Sequence, residues 1–491
     1  IFAAFEAVPF IKTGGLGDVA GSLPPALQAA GYEVRVMLPK FSAIPEQYRN
    51  RMTHVADFQM PLAWRNLYCG IEQLVYNGVT WYFIDNEYYF GRDKLYGFDD
   101  DAERFAYFAK AALSMLRFID FKPDVIHSND WHTGMLGAYL KEDFMQDPFY
   151  QGLKNIYTIH NLKYQGVFGR QIVEDVLGLP LRLLYNGNIE NAGNVNFMKA
   201  GMCYADFITT VSPTYAEEIT YPYFGEGLED YVALCAGKIS GILNGLDEQE
   251  YDPETDANLP VRFDKTNVFI KKPMAKEALQ RELGLTVNRE IPVLAMITRL
   301  VEAKGLDLVT YIMNELMEEQ VQLVVVGTGD EEYADALREL AWRHPGSVSV
   351  NILFNEGLAR RVYAGADMFL MPSKSEPCGL SQMIAAGKLG ESLLGLPFAL
   401  NVAISVAICF IYTFRNGVRS VIWTDTLKTV CMVVAVILTI VFIAKNLGLD
   451  LSGTVSAIGG SGMSKVFFFD DVNHPQYFWK QFIGGLFTVI A

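Results

Sequence analysis

The sequence predicts an α/β protein of two Rossmann-like halves, the second one truncated, followed by an all-α tail of transmembrane type. Three observations carry this. Short β-branched apolar runs alternate with helical patterns as far as Ala385, the alternation breaks and restarts near residues 244–270, and long uncharged stretches begin at Ser392.

The strand candidates in the first half are Val34–Leu38, Val125–Ser128, Ile156–Ile159, Phe207–Val211 and Ile239–Leu243, after an opening strand at the chain start. In the second half they are Val293–Thr298, Gln322–Val326, Val348–Leu353 and Met368–Met371. Most are continuous apolar runs rather than alternating ones, as strands covered on both faces of a parallel sheet should be. Helical patterns such as Pro273–Leu283 and Glu332–Ala341 lie between them, which is the βαβ arrangement. Asn244-Gly245 is a turn signal, and Tyr251–Phe263 is polar with two prolines. The divisions are therefore 1–243, 244–385 and 386–491. In sheets of this kind ligands sit beyond the carboxyl ends of the strands, here in a cleft between the halves.

The tail differs in kind. Ser392–Phe414 is 23 residues without a charge and Thr429–Ala444 another 16, which raises the mean hydropathy to +0.16. The first is long enough to span a bilayer, and the second is with its flanks. If expressed as written, residues 386–491 would bring a membrane as partner.

Charge is equally uneven. Residues 1–385 carry 33 Lys and Arg against 51 Asp and Glu, and the tail 7 against 5. An acidic body argues against nonspecific nucleic-acid binding, and any anionic substrate needs a local basic pocket. The six cysteines form no C-x-x-C pair and no zinc spacing, so no metal is assigned and a reducing setting is expected. With no signal-peptide pattern at the start, the expected location of residues 1–385 is cytoplasmic.

Lys12-Thr13-Gly14-Gly15-Leu16-Gly17-Asp18 follows the opening strand. Its glycines let backbone N–H groups approach a phosphate, and Lys12 adds a point charge; the plain alternative is a glycine-rich turn with a solvated lysine. A dinucleotide is disfavoured, because Val8–Lys12 separates strand from glycines and the next strand ends in Pro39-Lys40 rather than an acid. Asp130-Trp131-His132 and His160-Asn161 each follow a strand, where polar and aromatic groups suit sugar hydroxyls and faces; either histidine alone could equally be structural. Arg299 and Lys304-Gly305 follow another strand, where two cations near a helix start can clamp a diphosphate. Glu376-Pro377-Cys378-Gly379-Leu380 follows the last strand; a lone carboxylate there is usually a helix cap.

Together with Tyr157–Asn161, Ile242–Asp247 and Pro372–Leu380, these segments resemble the motifs of bacterial glycogen (starch) synthases of the ADP-glucose type, from Phe2 to about Ala385. The resemblance implies the GT-B fold and transfer of glucose from ADP-glucose to the non-reducing end of an α-1,4-glucan with retention, without a cofactor or metal. It implies that Lys12 and Gly15 face the diphosphate and the sugar, that Arg299 and Lys304 neutralise the leaving ADP, and that Glu376 contacts the transferred glucose. It places His160 and Asp130 beside the reacting carbon. It extends the substrate-binding set to Thr13, Gly14, Asp18, His132, Asn161, Asn244, Cys378, Gly379 and Leu380. The family's segment after the EPCGL helix is replaced: residues 386–491, through Tyr412–Asp425 and the helix after it, resemble a piece of a sodium/solute symporter. Three accounts follow from the sequence: a glucosyltransferase, a membrane transport protein with a cytosolic front, or a junction of two reading frames without activity.

Overall fold

Strand β1 (Phe2–Ala3) lies at the centre of a nine-stranded sheet that holds the first half. The strands that follow are β2 (Arg35–Pro39), β3 (Thr53–Leu62), β4 (Arg65–Tyr76), β5 (Val79–Asp85), β6 (Val125–Asn129) and β7 (Lys154–Ile159). Three short strands, β8 (Val167–Phe168), β9 (Glu190–Asn191) and β10 (Asn194–Asn196), form a small antiparallel sheet of their own. The first half closes with β11 (Phe207–Thr210) and β12 (Ile239–Gly241). The large sheet runs β12-β11-β7-β6-β1-β2-β5-β4-β3, parallel except for the antiparallel β5-β4-β3 end. The second half holds β13 (Val293–Ile297), β14 (Gln322–Val326), β15 (Val348–Asn351) and β16 (Met368–Phe369), all parallel, in the order β15-β14-β13-β16. The computed structural model describes residues 1–247, 250–353 and 355–385, all within one compact unit.

The continuous apolar strands have the burial their composition requires. Along β14, Leu323 and Val325 pack with Leu306, Val309, Leu337 and Leu340 on one face, while Val324 and Val326 pack with Leu279, Leu358 and Val362 on the other. Side chains alternate across a strand, so a sheet with helices on both faces needs apolar residues at every position. The helices Val268–Glu282 and Glu331–Arg343 extend the expected Pro273–Leu283 and Glu332–Ala341 at one or both ends. Val348–Leu353 and Met368–Met371 form shorter strands than expected, ending at Asn351 and Phe369.

The antiparallel end is an addition. Strand β3 shows mostly exposed and half-exposed residues, and its turn to β4 passes through Ala63 at φ +52°. The β4–β5 turn is Asn77-Gly78, with φ of +48° and +76°. Both residues are left-handed, the geometry that matches the twist of a two-residue hairpin.

Strand order reverses once in each of the two larger sheets, between β6 and β1 in the first half and between β13 and β16 in the second. β1 and β6 are neighbours that lead to opposite halves of their sheet, as are β13 and β16. Crevices open at the carboxyl ends of such pairs because successive connections leave toward opposite faces. The tail proposed as transmembrane, 386–491, lies outside the described residues. Among the described residues no helix is long and apolar enough to cross a membrane.

Candidate active site

Four loops meet at these crevices, one from each of β1, β6, β13 and β16, with β7 contributing a fifth. The loop after β1 is organised by Glu6. This carboxylate, 1% exposed, accepts hydrogen bonds from the backbone N–H of Thr13, from Thr13 Oγ1 at 2.6 Å and from the N–H of Gly17 at 3.1 Å. Burial pushes its pKa up to about 7 against those three donors. Gly17 is needed for fit: a Cβ there would lie 2.9 Å from Lys12 Cγ. The helix Gly15–Ala29 starts directly in the loop, so its first N–H groups face the crevice.

Lys12 is not the solvated point charge that a glycine-rich turn alone suggests. Its Nζ donates to Asp18 Oδ1 at 2.7 Å and, across the cleft, to Glu356 Oε2 at 3.2 Å. Burial works against the ammonium, but the two carboxylates outweigh it and raise its pKa. Burial raises the pKa of Asp18 despite Lys12. Tyr251 Oη sits 3.5 Å from Asp18 Oδ1 and 3.3 Å from Glu356 Oε1, bridging the two acids from the segment that joins the halves.

Asp130 takes φ +55°, a left-handed value rare outside glycine, asparagine and aspartate. Its Oδ1 accepts from the backbone N–H of His160 at 2.8 Å and of Asn161 at 3.4 Å, which ties the β6 loop to the end of β7. Burial raises its pKa to about 7, opposed by those backbone donors. His160 Nε2 lies 3.0 Å from Asn129 Oδ1, whose Nδ2 donates to the Ala3 carbonyl at 3.0 Å. That arrangement puts the imidazole proton on Nε2 and leaves Nδ1 as an acceptor. Burial lowers the His160 pKa to about 3, so the ring is neutral. Asn161 Oδ1 accepts from the Lys163 N–H at 3.0 Å and closes the turn.

His132 departs from the expectation of a residue displayed for sugar. It is 5% exposed, stacked on Phe5 with ring centroids 3.5 Å apart and flanked by Trp131, Phe105 and Tyr96. Among the described residues neither of its ring nitrogens has a hydrogen-bond partner. Beside it, Trp131, Tyr164, Gln165 and Glu226 line an open cavity of about 350 Å³.

In the second half, Lys304 and Glu376 form one ion pair, Nζ to Oε2 at 2.6 Å, so Glu376 is a partner of Lys304 rather than a helix cap. Gly305 has φ +72°, and a Cβ on it would lie 2.1 Å from the Pro372 carbonyl oxygen. The Lys374 N–H donates to the Ala303 carbonyl at 3.0 Å, so the β13 and β16 loops are laced together. Gly379, at φ +74°, turns the chain into the helical turn that starts at Leu380. Arg299 Nη1 donates to Tyr164 Oη at 2.7 Å, with its guanidinium 5.0 Å from the ring centroid.

Among the described residues the contacts between the halves include Lys12 with Glu356, Arg299 with Tyr164, Ser212 Oγ with the Pro377 carbonyl at 2.8 Å, and Gly15, where a Cβ would lie 3.1 Å from Leu380 Cδ1. These contacts bring the Lys12–Asp18 loop to the Glu376–Leu380 loop, and Cys378 packs against the core of the first half. Asn244 is half-buried in the joining segment. Reading by motif missed Glu6, Tyr96, Tyr164, Tyr251 and Glu356. Glu6 stands three residues beyond β1 and Glu356 three beyond the expected strand Val348–Leu353, strand-end positions like those that flagged the others; the three tyrosines carry no such signal.

Comparison with known proteins bears on what meets in the cleft. Residues 1–233 match the starch synthase catalytic domain family, and residues 283–385 match glycosyl transferases group 1. Residues 378–477 match the sodium:solute symporter family, of which only 378–385 are described. A glycogen synthase of Desulforamulus reducens is 52% identical over 385 residues, 78% of this chain and 80% of the relative. One from Anoxybacillus flavithermus is 48% identical over 385 residues, 78% of this chain and 79% of the relative. The catalytic domain of starch synthase IV from Arabidopsis thaliana, bound to ADP and acarbose, superposes with a TM-score of 0.74 at 30% identity, covering 79% of this chain and 80% of that one. The two sheets, their facing loops and these relatives together make this chain a GT-B glycosyltransferase that belongs to the glycogen synthase family.

Proposed function

We propose that the chain transfers glucose from ADP-glucose to the 4-hydroxyl at the non-reducing end of an α-1,4-glucan, with retention. The observation that carries this is the meeting of the Lys12–Asp18 and Glu376–Leu380 loops across the cleft, through Gly15 and Leu380. In that reading the glucosyl C1–O bond to the β-phosphate breaks and the acceptor O4–C1 bond forms on the same face. The O4 proton passes to the leaving phosphate oxygen. Negative charge grows on the diphosphate as an oxocarbenium-like centre forms, so fixed cations aimed at it accelerate the step. Arg299 and Lys304 are those cations, with Lys12 at the sugar side. Glu376 holds Lys304 in place and contacts the transferred glucose.

The neutral His160, with Nδ1 free to accept, suits a sugar hydroxyl near the reacting carbon better than a charge that would repel that centre. Asp130 fixes the turn that presents it. The cavity beside Trp131 suits the acceptor, since sugars bind through hydroxyl hydrogen bonds and through stacking of their faces on rings. Support for ADP comes from the starch synthase IV structure, whose bound ligands are ADP and acarbose. Incubation with ADP-glucose or UDP-glucose and a maltooligosaccharide tests the reading. Chain extension from ADP-glucose, removable by an α-1,4-specific hydrolase, is the expected result. Extension from UDP-glucose alone, or a β-linked product, would overturn it.

A second reading concerns residues 386–491, and the symporter match at 378–477 favours it. We infer that this segment inserts in a membrane as an incomplete transporter piece joined to the synthase. Fractionation of the expressed chain tests it, and recovery in a membrane-free supernatant would count against insertion.

A further inference from the structure

We propose that Glu356 is a positioning residue: from the second half it sets the ammonium of Lys12 at the donor site, and it does so only while the cleft is shut. This rests on the reading that Lys12 faces the donor. Lys12 belongs to the loop after β1, and Glu356 begins the helix Glu356–Gly365 on the opposite side. Their bond spans 344 residues of sequence at 3.2 Å. Asp18 holds Nζ along one direction and Glu356 along another, from the opposite half, which narrows where a flexible four-carbon side chain can point.

Glu356 is itself held from three sides. Its Oε1 accepts from Arg360 Nε at 3.2 Å and lies 3.3 Å from Tyr251 Oη, while Oε2 accepts from Lys12. Arg360, 4% exposed, is braced by Glu250 at 2.5 Å and by Asp256 at 3.6 Å, and its guanidinium lies 4.7 Å from the Tyr251 ring centroid. A carboxylate at the first residue of a helix is also favoured by the helix dipole. The network thus ties one loop of each half to the joining segment, through side chains that all lie near the transfer site. Separating the halves by one or two ångströms takes Lys12 and Glu356 out of ion-pair range, while Lys12–Asp18 stays intact because both belong to one loop. Lys12 therefore gains its hold from Glu356 in the closed state and loses it in the open one, which couples closure to transfer.

The test uses the full chain with Glu356→Gln, Glu356→Asp and Tyr251→Phe, beside Lys12→Met. Closure is read by small-angle scattering with and without ADP, ADP affinity by calorimetry, and transfer by initial rates. Glu356→Gln should enlarge the radius of gyration without ligand and lower kcat roughly ten- to hundredfold, as misplacement by about an ångström does. KM for glucan should hold. Glu356→Asp should restore part of both, and Tyr251→Phe should show a smaller loss of the same kind even if Glu356→Gln fails to fold. Lys12→Met and Glu356→Gln should be strongly non-additive when combined. Wild-type kcat and scattering in Glu356→Gln, or additive losses in the double variant, would overturn the proposal. If Lys12→Met changes neither ADP affinity nor transfer, the placement of Lys12 at the donor is what fails. If only Lys12→Met is impaired, that placement stands and the role of Glu356 falls.

Discussion

Replacing Gly305 by alanine probes the join between the Lys304 turn and the Glu376 loop. The glycine is at φ +72°, and an added Cβ would lie 2.1 Å from the Pro372 carbonyl oxygen and 2.8 Å from its carbon. Because a backbone carbonyl cannot swing aside as a side chain can, the Pro372–Leu380 loop must retreat by about 1 Å to reach ordinary contact. Left-handed strain costs about 1–2 kcal/mol for a residue with a Cβ. Retreat also stretches the 3.0 Å hydrogen bond from Lys374 to Ala303, worth about 1 kcal/mol. The expected loss is about 2–3 kcal/mol by urea denaturation. The control is Gly284→Ala, at φ +68° with nothing within 4 Å of its Cβ, which should lose only the strain. Displacing Glu376 from Lys304, now 2.6 Å away, should also lower transfer about 100-fold, while Gly284→Ala leaves it unchanged. Equal stability losses in the two variants, with wild-type turnover in Gly305→Ala, would refute the argument.

Other expectations follow from the same site. Lys304→Ala should reduce the rate with ADP-glucose by about 3–4 kcal/mol, taking a lost oxyanion donor as guide, and more than it weakens glucan binding; an unchanged rate removes Lys304 from the site. Glu6 has its pKa raised to about 7, so the folded state keeps a proton that the unfolded state has lost, and stability falls as pH rises from about 4.5 through 7. Glu6→Gln lacks that slope, so denaturation curves of the two proteins should differ by about 3 kcal/mol more at pH 4 than at pH 8, in favour of the native residue at low pH; parallel curves would contradict it. His132→Phe should raise the denaturation midpoint, since it removes two buried unpaired nitrogens worth about 1–3 kcal/mol; a fall in stability would show those nitrogens to be satisfied.

How much of this was open to a reader of the sequence depends on whether the signal is local. The parallel strands were legible because both faces of β13 and β14 are covered, which demands an apolar residue at every position. Strand β3 of the antiparallel end carries no continuous apolar run, because most of its residues are exposed or half-exposed. The Asn77-Gly78 turn of that end was a hairpin signal that could have revealed it.

By itself the sequence determined the α/β class, the break at the joining segment, and which loops carry the chemistry, because periodicity and turn residues act over a few positions and strand ends face ligands in any sheet of this kind. It also carried the family, through motifs that read as words. Only the tertiary structure decided the partners: that Lys12 is shared between Asp18 and Glu356, that Glu376 answers Lys304 instead of capping a helix, that His132 is buried among rings, and that Tyr164 receives Arg299. Two of these, Lys12 with Glu356 and Tyr164 with Arg299, depend on how the two halves come to face each other, and the others on how separate loops of one half fold together. No spacing along the chain encodes either, because both are set by tertiary packing.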